Sequence, residues 1–148
     1  MTEYIDANIQ NAMMTQLTSP PLTDSNSNAY PMAFPFLPYD PIEDTPYMEA
    51  WPIMKAKTQH PTLGYYDSDL QRGIFQVDAV VPDGRGEPIG LRMQAQIVER
   101  FAMGTVLLAG QRNLYLNAPP QVTQGMKDGA WIRFPVSITF TLIGGPLS

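Results

Sequence analysis

The sequence predicts an α+β fold, with an antiparallel or mixed sheet of about five to six strands and two helices packed on one face. Three observations predict it. Ile132, Phe134, Val136, Ile138, Phe140 and Leu142 occupy successive even positions, with Arg133, Pro135, Ser137, Thr139 and Thr141 between them, the signature of a half-buried strand. Ile5, Ile9, Met13 and Leu17 recur every fourth residue, the signature of a helical stripe. The remaining segments complete an order of helix, three strands, helix, three strands. The whole chain, 1–148, reads as a single domain: helix 3–18, a proline-rich irregular segment 20–44 and a core 45–143.

The first helix, 3–18, opens with Thr2 as a cap and with Glu3 and Asp6 at the positive end of its dipole. Ser19-Pro20-Pro21 ends it, because Pro20 drives Ser19 out of helical geometry. Residues 20–46 are rich in proline, yet Tyr30, Met32, Phe34, Phe36 and Tyr39 are interleaved with the prolines. Residues 29–37 therefore read as an irregular edge strand, where a missing ladder N–H is tolerated. Thr45–Lys57 reads as a strand, with Tyr47, Glu49, Trp51 and Ile53 on one face and Met48, Ala50 and Met54 on the other. Residues 58–69 read as a long exposed loop. In 70–81, Phe75, Val77, Ala79 and Val81 share one strand face, and Gln76 and Asp78 mark the other.

Pro82-Asp83-Gly84-Arg85-Gly86 is a turn leading into a second helix, 87–102, with Pro88 in its first turn and Gly104 closing it. Its expected apolar stripe is Leu91, Ala95, Val98 and Phe101 or Ala102. Residues 105–108 and 113–116 read as short strands joined by a hairpin. Ala118-Pro119-Pro120 breaks the chain, and 121–129 reads as a polar loop ending in a turn at Lys127-Asp128-Gly129.

Composition narrows the function. Charged residues make up 16% of the chain, low against a typical value of about 25%, which suits a surface partly covered by partners. The chain contains no cysteine, so disulfides, thiolate metal sites and cysteine nucleophiles are excluded. The acidic start has no basic or apolar leader pattern, so no signal peptide is expected, and 134–148 is too short and polar to span a bilayer. A net charge of −5 argues against a nucleic-acid footprint. The charge is split: residues 1–54 carry seven acidic groups and no basic ones, and residues 55–148 carry nine basic and seven acidic, a balance of +2. Such a split can support head-to-tail contacts between copies, or form a solvated acidic face.

Reactive constellations are missing. His60 is the one histidine, with Asp67 and Asp69 as its nearest carboxylates, too sparse for a metal site. Ser68 has no orienting acid or oxyanion motif beside it. Gly84-Arg85-Gly86 is a turn fragment and no phosphate loop. The pairs Glu43 with Asp44 and Asp67 with Asp69 read as solvated carboxylates, not as an acid and base across a cleft. Tyr65 and Tyr66 lie near Arg72, but the intervening acids disfavour base stacking. Tyrosine is favoured at protein interfaces, so this loop reads as a protein-contact element.

From 45 to 140 the order of features resembles a known family. The pieces are Thr45-Pro-Tyr-Met-Glu-Ala-Trp51, Gly73-Ile-Phe-Gln-Val-Asp78, Pro82-Asp-Gly-Arg-Gly86, the helix to Phe101, Gly104-Thr105, Ala118-Pro-Pro120, Asp128-Gly-Ala-Trp131 and Phe134-Pro-Val-Ser-Ile138. In order and spacing together they are similar to the tail terminator proteins of siphophages. Segment 20–44 has no counterpart in that pattern. The resemblance implies a structural virion protein with no enzyme activity and no cofactor. It implies a homo-oligomeric ring, a hexamer, on the head-proximal end of the tail tube, stopping tube growth and offering the head–tail joining surface. The implied partners are further copies of the chain, the tail tube protein and a head–tail connector or stopper, with DNA passing through the lumen without specific binding and no membrane. The implied location is the virion, after assembly in the host cytoplasm.

The contact surface is expected on loops 58–72 and 121–129, through His60, Leu63, Tyr65, Tyr66, Asp67, Asp69, Arg72, Gln124, Lys127 and Asp128. Another neck or tail part, such as a connector, stopper or tube-like subunit, is the alternative. A small ligand-binding α+β domain is a further alternative, and it predicts a deep pocket with convergent polar groups.

Overall fold

The structure, a computed structural model, describes residues 5–55, 69–84 and 87–144. Two helices, α1 (Ile5–Thr18) and α2 (Glu87–Arg100), lie against a mixed sheet. The strands are β1 (Met32–Ala33), β2 (Tyr47–Ala50), β3 (Met54–Lys55), β4 (Asp69–Pro82), β5 (Val106–Ala109), β6 (Arg112–Tyr115), β7 (Gln121–Val122), β8 (Met126–Asp128) and β9 (Trp131–Gly144). Main strand order is β1-β2-β4-β9-β6-β5, with β3 added on β4 and β7 and β8 on β9.

The spine of the sheet is the β4–β9 pair. It is antiparallel and in register from Asp69 opposite Gly144 to Pro82 opposite Trp131. Period-2 alternation makes both strands present apolar side chains to the same face: Phe75 lies opposite Ile138, Val77 opposite Val136 and Ala79 opposite Phe134. These side chains form one buried cluster with Ile9, Met13 and Leu17 of α1 and Met93, Ile97 and Phe101 of α2 and the turn that follows it. Each large side chain so buried stabilises by about 1.5–3 kcal/mol. The register leaves no choice of face, since a slip of one residue would turn both apolar rows to solvent.

The two helices are tied end to end. Arg100 Nη1 donates to the carbonyls of Gln16 at 2.9 Å, Leu17 at 3.1 Å and Pro20 at 2.6 Å. The last turn of α1 carries no basic residue of its own, so Arg100 supplies the cation that its negative end favours. Gln16 Nε2 returns a bond to the Arg100 carbonyl at 2.7 Å.

Several sequence expectations change. Within the expected strand 45–57 lie two strands, β2 and β3, because the chain leaves the ladder after Trp51, whose N–H still donates to the Gln76 carbonyl at 3.0 Å, and Ile53 N donates instead to Gln10 Oε1 at 2.9 Å. Of the expected edge strand 29–37 only Met32–Ala33 pairs, and it runs parallel to β2. Residues 121–129 hold two short strands: Gln121 and Val122 pair with Ser137 and Val136, and Met126–Asp128 pairs with Arg133–Trp131. Their side chains are exposed, so no apolar alternation announced them. The turn falls at Gly129–Ala130, after β8. Asp69 opens β4 and so leaves the expected loop, whose other residues, 58–68, lie outside the described ones.

The stripe of α2 is rotated in its first half, while Val98 and Phe101 meet the core as expected. Leu91 and Ala95 are exposed, and Gly90, Met93, Gln94 and Ile97 are buried. Gly90 is buried because the ring of Phe134 occupies the space a Cβ would need. Gln94 is buried because its Nε2 donates to the carbonyls of Thr123 at 2.9 Å and Pro135 at 3.0 Å.

Candidate interaction surface

The second face of the sheet is where the proline-rich segment acts. It folds back as a strap over the β2, β4 and β9 residues that point away from the helices. Ala33, Tyr47 and Val80 form a small buried cluster there, with Tyr39 and Trp131 packed on it. Tyr39 and Tyr47 have ring centroids 4.8 Å apart, and Tyr47 meets Trp131 edge-on at 5.4 Å. Alternation with proline thus buries one set of aromatics and leaves another outside.

Beside that cluster lies an ionic network centred on Arg133. Its guanidinium reaches Asp128 at 2.7 Å, Asp78 at 3.2 Å and Glu49 at 3.3 Å. Trp51 Nε1 donates to Asp78 at 3.0 Å and Gln76 Nε2 donates at 2.8 Å, so both Asp78 oxygens are satisfied. Burial works against the Arg133 charge; the bond to Asp128 and the fields of Glu49, Tyr47 and Asp78 overcome it and hold the group firmly protonated. One cation serves three carboxylates, and the face stays acidic. Glu49 and Arg133 also join the acidic first third of the chain to its more basic remainder within one molecule.

The described members of the sequence-predicted contact set lie at two separate places on the sheet. Asp69 and Arg72 lie at the start of β4, opposite Gly144 and Thr141. Gln124, Lys127 and Asp128 lie on or beside β8, which flanks the far end of β9. At about 3.3 Å per residue, the β4 ribbon between these ends has a contour of roughly 40 Å. Arg72 and Gln124 are exposed. Lys127 bridges Asp83 at 3.2 Å on the surface, and Asp128 belongs to the Arg133 network. Asp69, Arg72, Lys127 and Asp128 are therefore strand residues and not loop residues. His60, Leu63, Tyr65, Tyr66 and Asp67 lie outside the described residues.

Sequence reasoning missed two exposed apolar groups. The strap tip presents Phe34, Phe36 and Leu37 beside Trp51, around a hollow of about 360 Å³. Phe36 is 90% exposed and sits at φ 62°, a backbone region that phenylalanine rarely adopts. At the opposite edge of the sheet Met103, Val106 and Leu108 are exposed. The alternation Phe34-Pro35-Phe36 was a usable signal, but the pattern does not say which aromatics end up inside.

Among the described residues no three His, Asp or Glu side chains stand close enough to hold a metal ion, and no described helix is long and apolar enough to cross a membrane. A hollow of about 580 Å³ between the end of α1 and α2 is lined in part by Gln16, Gln96 and Arg100. These hold helix-end and strap carbonyls, Gln96 Nε2 donating to Thr23 at 2.8 Å.

The described residues thus define a scaffold whose notable features are surfaces and not reactive groups. The sequence matches the family described as Phage tail terminator protein over residues 8–140, and the chain belongs to that family. It is a structural protein of a phage tail. No curated protein matches it. One solved structure, 20% identical, covers 98% of this chain and 100% of its own with a TM-score of 0.75. A chain from the virion of a native gene transfer agent (GTA) particle is 13% identical, with coverage of 98% and 100% and a TM-score of 0.56. At these identities both show that the fold is shared.

Proposed function

We propose that the protein closes the head-proximal end of the tail tube as a ring of identical subunits, a hexamer, that stops tube polymerisation and offers the joining surface for the head. The family match over 8–140 carries this reading. The shape of the subunit supports it. Among the described residues the sheet order ends in two different strands, β1 and β5, and a closed ring of head-to-tail contacts is built from two different patches. The β4–β9 ribbon has two ends, one for each axial neighbour: the tube protein and a head–tail connector or stopper.

Asp69 and Arg72, with His60, Leu63, Tyr65, Tyr66 and Asp67 before them in the sequence, serve one axial neighbour. Gln124, Lys127 and Asp128 serve the other. The whole chain acts as one domain and performs no catalysis. DNA passes the lumen without being gripped, in keeping with the net charge of −5. Assembly takes place in the host cytoplasm and the product is carried in the virion.

Electron microscopy of the purified protein, and of tails assembled with and without it, tests the proposal. Rings of the chain, normal tails with it and tails of uncontrolled length without it are expected. Tails that keep their normal length in its absence overturn it. Deleting residues 60–68 should leave the fold intact and abolish capping; a truncated chain that still stops tubes at normal length removes that loop from the contact.

A further inference from the structure

We infer that the strap tip Phe34–Leu37 of one copy docks against the β5 edge, Met103, Val106 and Leu108, of the next copy, so that one strap-to-edge contact repeats around the ring. This rests on the ring reading above and names its subunit interface.

Four observations meet here. First, the tip is built to be covered. Phe36 is 90% exposed, with Phe34 and Leu37 exposed beside it, and a left-handed backbone at Phe36 holds the ring outward. Strained backbone of this kind clusters at binding and switch sites. Second, the β5 edge offers a matching apolar surface: Leu108 is 66% exposed, and it borders a groove of about 350 Å³ between β5 and α1 lined also by Asn8, Ala12, Thr15 and Leu107.

Third, the two surfaces lie at opposite ends of the strand order β1-β2-β4-β9-β6-β5. Five inter-strand steps of about 4.8 Å separate them by roughly 24 Å, so neither can cover the other within one chain. Fourth, their charges are complementary. The strap, residues 34–46, carries Asp40, Glu43 and Asp44 and no base; the β5–β6 hairpin, residues 106–115, carries Arg112 and no acid. Tip against tip would set acid against acid and edge against edge would set base against base, whereas tip against edge pairs opposite charges. A contact between two different patches is heterologous, the kind that closes into a ring.

The test uses the full chain with Phe36→Asp and, separately, Leu108→Asp. Both sites are exposed, and aspartate accepts the left-handed backbone at 36, so folding should be retained and is checked by circular dichroism and melting. Light scattering should find rings for the wild type and monomers for each variant. Mixing the two variants should give heterodimers that grow no further, because only one intact tip and one intact edge are present.

A second measurement uses the absence of cysteine from the chain. The double variant Phe36→Cys with Leu108→Cys should oxidise to a ladder of cross-linked species ending at the ring number, each rung an intermolecular disulfide. Wild-type rings together with Phe36→Asp rings, or variant mixtures that stay monomeric, overturn this contact and leave the ring standing. Phe36→Asp rings that fail only to seat on tube ends would assign the tip to the tube protein and also overturn it. A wild-type chain that stays monomeric both alone and on tube ends overturns the ring reading and this contact with it.

Discussion

Phe36 and Arg133 show how single residues are used here for opposite ends. Phe36 holds a left-handed backbone at φ 62°, a conformation that costs a side chain with a Cβ roughly 1–2 kcal/mol and that asparagine accepts more readily. Phe36→Asn should therefore stabilise the isolated subunit by about 1 kcal/mol, a rise in melting temperature of roughly 2–4 °C, and weaken self-association, read by calorimetry and light scattering on the same samples. Arg133 is the reverse case. Asp78 beside it has a side chain only 3% exposed, so Arg133→Met strands a buried carboxylate and should cost about 2–3 kcal/mol in a denaturant titration. Burial raises the hydroxyls of Tyr39 and Tyr47 above the ordinary tyrosine value, Arg133 pulling Tyr47 partly back. In the unfolded chain these phenols ionise first, near pH 10, so stability is whole below that value and falls as pH climbs toward the folded values. Tyr47→Phe should flatten that alkaline loss, followed by melting at rising pH alongside phenolate absorbance.

At the scale of elements, legibility depended on whether a segment's period matched its burial. β4 and β9 were readable almost to the residue, because apolar side chains alternate over their length and one face is buried. α1 was readable for the same reason at period 3.6. The reading of α2 is right along the chain and at Val98 and Phe101, and wrong in the rotation of its first half, because two of the residues it buries are a glycine and a glutamine. Gly90 makes room for the ring of Phe134, and Gly125 flanks that ring from the other side, where a Cβ would come within 2.7 Å of Phe134 Cε1. Gln94 is buried to bind two carbonyls. Neither role is visible in a list of apolar positions. Gly90→Ala tests the account directly. In an open helix this change gains up to about 1 kcal/mol, but here the added methyl meets a buried ring and should cost about 1–3 kcal/mol in the denaturant midpoint. The same limit explains β7 and β8: their side chains face solvent, so only their backbone pairing with β9 makes them strands.

For the whole molecule, the expected contact residues were placed on two loops, and the structure sets their described members at the two ends of one long ribbon. The strap tip and the β5 edge were not legible as surfaces, because proline-interleaved aromatics and short apolar strands read equally well as core. What the sequence did disclose was the uneven spread of charge. Glu49 and Asp78 are spent on Arg133 within the subunit, and Asp24 caps its own turn, accepting from Asn26 N at 2.8 Å and Asn28 N at 3.0 Å. Asp40 and Glu43 remain on the exposed strap. If the acidic strap of one copy approaches the basic edge of the next, attraction acts mainly before contact, when the charges are solvated and several Å apart. Added salt screens that approach, since the Debye length falls from about 10 Å at 0.1 M to about 3 Å at 1 M, but it barely touches an apolar contact already formed. The association rate of subunits, followed by stopped-flow light scattering, should therefore fall severalfold as salt rises, while the dissociation rate of formed rings changes little. Asp40→Lys with Glu43→Lys should lower the low-salt rate and remove most of that salt dependence. A dissociation rate that climbs with salt as steeply as the association rate falls would mean that charge pairs, and not the phenylalanines, hold the ring closed.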